Sequence, residues 1–278
     1  MLALALAALL DASFAAASGR ERDGPCSGLT SETSRRPTLR QIWCNYNEAP
    51  LLHRYIETAD FYEKHLPKPR GGTVKLLEMG VQSGGSTRTW KQHYGSHLYY
   101  VGVDVNPGCM RSRSEAESIY IEIGSQMNAS FLLDVCRRHG PFDVIIDDGG
   151  HSTKTIKTPL TAMFTQDACM KEHSVYVVED MHTMHHPGLV HKPADLYNLV
   201  GEAFWSLHHA YIHHHSRFGP GLEVHPIFGN RLQYVVGYPT IAFFIRGPRT
   251  GRLTPVERGT DRLADTPETW SHSTGRLG

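Results

Sequence analysis

Neither sign of charge dominates this chain. Its 28 lysine and arginine residues cancel 28 aspartate and glutamate residues, so no net field favours nucleic acid or an anionic membrane surface, and no nucleic-acid partner is expected. Cysteine is scarce. The five present (Cys26, Cys44, Cys109, Cys136, Cys169) include no metal-type C-x-x-C pair, and their odd number allows at most two disulfides. The long apolar run at the start, Met1 to Ala17, has Asp11 as its only charge and is too short for a membrane span. With Ala15, Ala16, Ala17 and Ser18 behind it, residues 1–18 read as a secretory signal or short anchor, although a charged n-region is missing. A secreted protein is the expectation. The alternative is a cytoplasmic one whose opening is an Ala/Leu-rich helix or a misplaced start.

Residues 19–40 are polar and rich in Ser, Thr, Arg and Gly, and residues 248–278 repeat that composition, so both are expected to be flexible or disordered. Between them, residues 41–247 alternate short β-rich apolar runs with amphipathic stretches. The runs are Val74 to Gly80, Leu98 to Val105, Ile119 to Gly124, Asp143 to Gly149 and Ser174 to Asp180. Helices are expected over Gly84 to Tyr94, Asn128 to His139, Lys154 to Phe164 and Ala194 to His209. Continuous apolar strands joined by crossover helices imply a parallel sheet covered on both faces. Arg231 to Gly247 reads as two strands around Gly-Tyr-Pro-Thr. The fold class is therefore α/β: a Rossmann-like methyltransferase sheet, mostly parallel, with a C-terminal antiparallel hairpin, rather than a plain dinucleotide domain.

Ligands of such sheets bind beyond the carboxyl ends of the strands. The first strand ends in a glycine loop carrying Glu78, Gly80, Gln82, Ser83, Gly84 and Ser86, where backbone can approach a ligand and a helix N-terminus can face it. Glu78 can balance a ligand's ammonium or orient the loop. The second strand ends in Asp104, 26 residues later, where one carboxylate can accept both hydroxyls of a ribose; its plainer role would be a turn residue before Asn106-Pro107. Ser125 and Gln126, after the third strand, would lie near a base. G-x-G-x-x-G is absent, because Gln82 stands where its middle glycine belongs, and this lowers a nicotinamide-dependent reading.

The fourth and fifth strands end in acidic pairs, Asp147-Asp148 and Glu179-Asp180. Four carboxylates on adjacent strand ends repel unless a cation joins them, and hard oxygen ligands suit magnesium, manganese or calcium. One acid of each pair could instead cap a helix or face solvent. Histidine is abundant at 18 residues, but the run His213, His214, His215 fits no single-metal spacing.

The segments LLEMGVQSGGSTRTW, GVDV, GPFDVIIDDGGHS and YVVEDMHT, between Leu76 and Thr183, resemble the macrocin, mycinamicin and tetracenomycin sugar O-methyltransferases. The resemblance implies a metal-dependent enzyme that uses S-adenosylmethionine. It assigns Mg2+ (or Mn2+) to Asp148, Glu179 and Asp180, and leaves Asp147 beside the donor. The acceptor would be a hydroxyl of a small molecule or sugar, ideally one of a vicinal pair; homo-oligomers stay open. The family's histidine base falls by register at Val236, so His151 and His182, each just past an acidic motif, are the candidates. Either could equally be a packing residue. Two other classes remain: a catalytically silent binding protein, or a hydrolase using Glu179, Asp180, His182 and His185.

Overall fold

The computed structural model describes Cys26 and residues 36–68, 71–185, 194–212 and 225–248. The apolar leader, most of the lead-in, the His213–His215 run and the tail from residue 249 lie outside the described residues. Among the described residues no helix is long and apolar enough to cross a membrane.

One sheet organises the chain. Its strands are β1 (Val74–Met79), β2 (Leu98–Asp104), β3 (Ile119–Ile123), β4 (Phe142–Asp147), β5 (Met170–Val178), β6 (Leu232–Tyr238) and β7 (Ile241–Arg246). They lie in the order β3-β2-β1-β4-β5-β7-β6. The first five are mutually parallel, and β7 runs antiparallel to both β5 and β6. This is the sheet expected from the sequence, with the hairpin folded back so that its second strand sits inside.

Strand side chains alternate between faces, and each face has its own helices. Leu77, Met79, Val101, Val103, Tyr176 and Val178 pack against α4 (Ala129–His139), α5 (Thr153–Met163) and α6 (Ala194–Ile212). Leu76, Tyr100, Val144, Ile146 and Val177 pack on the other side against α1 (Leu39–Cys44), α2 (Thr58–His65) and α3 (Gly85–Tyr94). Burying each large side chain stabilises the fold by roughly 1.5–3 kcal/mol before entropy is counted.

Local chemistry sets the helix starts. Thr38 and Gln41 form a capping box for α1, the Asn128 side chain accepts from Phe131 N (3.2 Å) ahead of α4, and Ser152 accepts from Thr155 N (3.3 Å) ahead of α5. β5 begins four residues before the expected Ser174, because Met170 already pairs with Phe142 across a register break. Disulfides join Cys26 to Cys44 and Cys136 to Cys169, leaving Cys109 free and buried.

Candidate functional site

Alternation decides which acids meet. Glu78, Asp148 and Glu179, at the carboxyl ends of the neighbouring strands β1, β4 and β5, point to the α1–α3 face, while Asp147 points to the other. Across the first three lies Arg54, from the irregular segment that precedes α2. Its Nη2 donates to Glu78 Oε1 at 2.5 Å, and its Nη1 reaches Asp148 Oδ2 at 2.8 Å and Glu179 Oε1. The Arg54 side chain is only 4% exposed. Burial opposes its charge, but Glu179, Asp148 and Glu78 raise its pKa well above the ordinary value.

Glu78 is enclosed completely. Its carboxylate accepts from Arg54, Ser86 Oγ (2.8 Å), Tyr100 Oη (2.5 Å) and Trp90 Nε1 (3.3 Å). These four partners tie the loop, α3, β2 and the Arg54 segment to one carboxylate. Glu179 is held likewise by Arg54 and the Tyr62 hydroxyl. Burial pushes the Glu179 carboxyl up, with Arg54 and Tyr62 opposing.

The glycine loop turns back after β1 with Gly80 at φ +97°, Gln82 at +49° and Gly84 at +91°. A Cβ on Gly80 would overlap the Asp148 carbonyl, and one on Gly85 the backbone of Leu51, so both positions need glycine for close approach. Residues 51–54 thus lie over the loop, and a small polar cleft between them is bounded by Ser86 and Asp148. Asp104 stands at the loop's other side. Its Oδ2 accepts from Val81 N and Gln82 N (3.0 Å each) and its Oδ1 from Asn106 N (2.8 Å), which leaves Oδ1 capacity for a further donor. Ser83 is half-buried in the same loop, where its carbonyl accepts from Arg111 (3.3 Å).

Asp147 and Gln126 turn away from that cleft. Gln126 Nε2 donates to Asp147 Oδ1 (2.9 Å) and its Oε1 accepts from Gly150 N (2.8 Å), which pins the loop after β4. Burial pushes Asp147 up to about 8 against hydrogen bonds from Gln126, Gly149 and Tyr176. The Ser125 hydroxyl accepts from Met127 N (3.2 Å), inside its own turn.

One candidate metal group forms among the described residues: ligand atoms of Asp148, His151 and Asp180 all lie within 4.8 Å of one another. Asp180 has φ +54°, a left-handed turn that sends its carboxylate toward the histidines as Glu179 goes inward. His151 Nε2 is 3.4 Å from Asp180 Oδ2, and burial holds this imidazole below its ordinary pKa. His182 sits at the rim, its Nδ1 3.9 Å from Asp180 and its Nε2 3.4 Å from the Tyr55 hydroxyl. Burial, with Glu179 and Asp180 nearby, raises Asp148 well above the carboxylate range despite Arg54. Crowded acids of this kind, with an imidazole beside them, fit a divalent cation. Val236 lies on β6 opposite Phe243. The side chain of His185 lies outside the described residues.

Sequence patterns did not point to Arg54, Tyr55 or Tyr62. They sit where no strand or long helix supplies a period; the only signal was a basic residue set among large apolar ones in LLHRY.

No protein-family model matches the chain. Among curated proteins it is 30% identical to demethylmacrocin O-methyltransferase of Streptomyces fradiae over 58% of this chain and 40% of that one. It is 32% identical to mycinamicin VI 2''-O-methyltransferase of Micromonospora griseorubida over 56% and 39%. The chain therefore spans about two fifths of the length of these relatives. Among solved structures it resembles the MycE methyltransferase of the mycinamycin pathway in complex with Mg, SAH and mycinamycin VI. That match has 25% identity and a TM-score of 0.65, and covers 82% of this chain and 58% of that one. A second MycE structure, with Mg and SAH, gives 24% and 0.66. The sheet described above is thus a Rossmann-like methyltransferase sheet.

Proposed function

We propose that this chain is an O-methyltransferase that moves the methyl group of S-adenosylmethionine to a hydroxyl of a sugar or other small molecule, with Mg2+ or Mn2+ bound at Asp148 and Asp180. The observation that carries the reading is the convergence of Asp148, His151 and Asp180 beside a glycine loop whose Asp104 keeps acceptor capacity. Relatives that methylate macrolide sugars, and the Mg and SAH in the MycE structures, support it.

In this reading Asp104 Oδ1 accepts from one ribose hydroxyl and the loop from Gly80 to Ser86 lines the donor. Residues 51–54 cover the loop and exclude water from its methionine end. When bound, the divalent ion would favour the ionised form of the acceptor hydroxyl and align it for in-line displacement. His151 accepts the proton, oriented by Asp180, while His182 and Tyr55 form the rim that an acceptor meets. Glu179, the third ligand that the resemblance implied, stands outside the metal group and anchors Arg54. The catalytic unit begins not at residue 41 but at Thr38, which caps α1 ahead of the buried Leu39, and runs to Gly247; two disulfides favour a secreted location for it.

The test is methyl transfer by the full chain to a panel of glycosylated macrolides, free sugars, polyols and catechols, followed by mass spectrometry. Product that appears with magnesium and disappears with chelator is expected. Product formed equally in chelator, or a chain that binds no donor, would overturn the reading.

A further inference from the structure

Arg54 is the unusual member of this site. Three carboxylates from three strands share one guanidinium, and the same Nη1 spans Asp148, which belongs to the metal group, and Glu179, which does not. The Tyr62 hydroxyl donates to the same Glu179 oxygen, Oε1, as Arg54 does, and Glu179 lies outside the metal group. On its other nitrogen Arg54 holds Glu78, whose remaining partners are Ser86 and Trp90, in the first two turns of α3, and Tyr100 on β2.

We propose that Arg54 is the chain's own counter-cation for this carboxylate cluster. It keeps Glu78, Asp148 and Glu179 together while no metal is bound, and it holds the affinity for a divalent cation low enough for the ion to exchange. This inference rests on the metal reading above. Two effects of opposite sign compete. As a hydrogen-bond partner of Asp148, Arg54 orients a ligand, and losing such a partner typically weakens metal binding about 10- to 100-fold. As a positive charge one carboxylate away from a divalent ion, and itself only 4% exposed, it repels that ion, and Coulomb's law at such a separation makes this the larger effect. Removing the charge also frees Glu179 to join the ligand set. The net result of deleting the guanidinium is therefore tighter metal binding by an apoprotein that has lost its brace. Arg54 is a positioning residue, since no reacting atom needs to touch it.

The experiment compares wild type, Arg54→Met and Arg54→Lys, each as the full chain, by electron paramagnetic resonance titration of Mn2+ and by thermal melting in EDTA and in MnCl2. Arg54→Met is expected to bind Mn2+ at least about tenfold more tightly than wild type. It should melt lower than wild type in EDTA and recover in MnCl2. Arg54→Lys, which keeps the charge but not the two-nitrogen span, should bind Mn2+ with an affinity between those of wild type and Arg54→Met. A folded Arg54→Met that binds Mn2+ no tighter than wild type overturns the proposal and leaves the metal reading standing. If neither wild type nor variants bind Mn2+, both fall. Should Arg54→Met fold only when manganese is present, that supports the counter-cation role; failure to fold in both buffers, with Arg54→Lys folded in both, refutes it.

Discussion

Replacing Asp104 with alanine removes two things at once, and their sizes differ. The carboxylate accepts three backbone N–H groups, from Val81, Gln82 and Asn106, at 2.8–3.0 Å. A hydrogen bond to a charged group contributes about 1.5–3 kcal/mol, but Gln82 and Asn106 are exposed and water can replace much of what they lose. The loss of fold stability should therefore be only about 1–3 kcal/mol in total. Donor binding should suffer more. One ribose hydroxyl donating to this carboxylate is worth about 1.5–3 kcal/mol, and the loop around it is loosened as well, so affinity falls at least about tenfold. Calorimetric titration with S-adenosylhomocysteine, beside a thermal melt, separates the two. Asp104→Asn, which keeps one acceptor oxygen, should fall between wild type and alanine in both. A folded Asp104→Ala with an unchanged dissociation constant would refute the placement of the ribose.

Gln82 holds a left-handed φ of +49° without being glycine, so Gln82→Gly should raise stability by up to about 1 kcal/mol, read from the urea midpoint, with donor affinity kept. The Cys136–Cys169 disulfide closes 33 residues, which in the chain-entropy model contributes about 4 kcal/mol; reduction or Cys169→Ala should lower the melting temperature, and an unchanged melt would show the bond to be absent or irrelevant. Glu122 lies below its ordinary pKa because, against the effect of burial, Arg138 and His139 hydrogen-bond its ionised form. Its contribution is therefore present above the ordinary glutamate pKa and lost as pH falls through the lower folded value, so Glu122→Gln should flatten the loss of melting temperature between about pH 5 and 3. An acid limb as steep as that of wild type would assign the effect elsewhere.

The sheet was legible because β1 to β5 are buried on both faces and read as apolar runs ended by Gly or Asp. The acids were legible as strand ends, and their sorting follows from period-two alternation: Glu78, Asp148 and Glu179 to one face, Asp147 to the other. Long-range pairing was the hidden part. Nothing near Glu179 in sequence shows that Arg54, 125 residues earlier, meets it, or that Tyr62 caps it from α2. The Gln126 amide bridges Asp147 and Gly150, a three-element contact that local pattern cannot show. Helix α1 was missed because six residues are too few for a period, although Thr38 and Gln41 carried a capping signal.

The central claim is that donor and divalent metal sit side by side in one pocket, and it can be tested without knowing the acceptor. The full chain is mixed with S-adenosylmethionine carrying a 13C-labelled S-methyl group, and that resonance is followed as Mg2+ or Mn2+ is added. The account predicts saturable donor binding, a methyl signal that survives magnesium but is broadened away by paramagnetic manganese, and loss of the broadening in Asp148→Asn and Asp180→Asn while the donor still binds. A bound donor whose methyl signal manganese leaves sharp would contradict it.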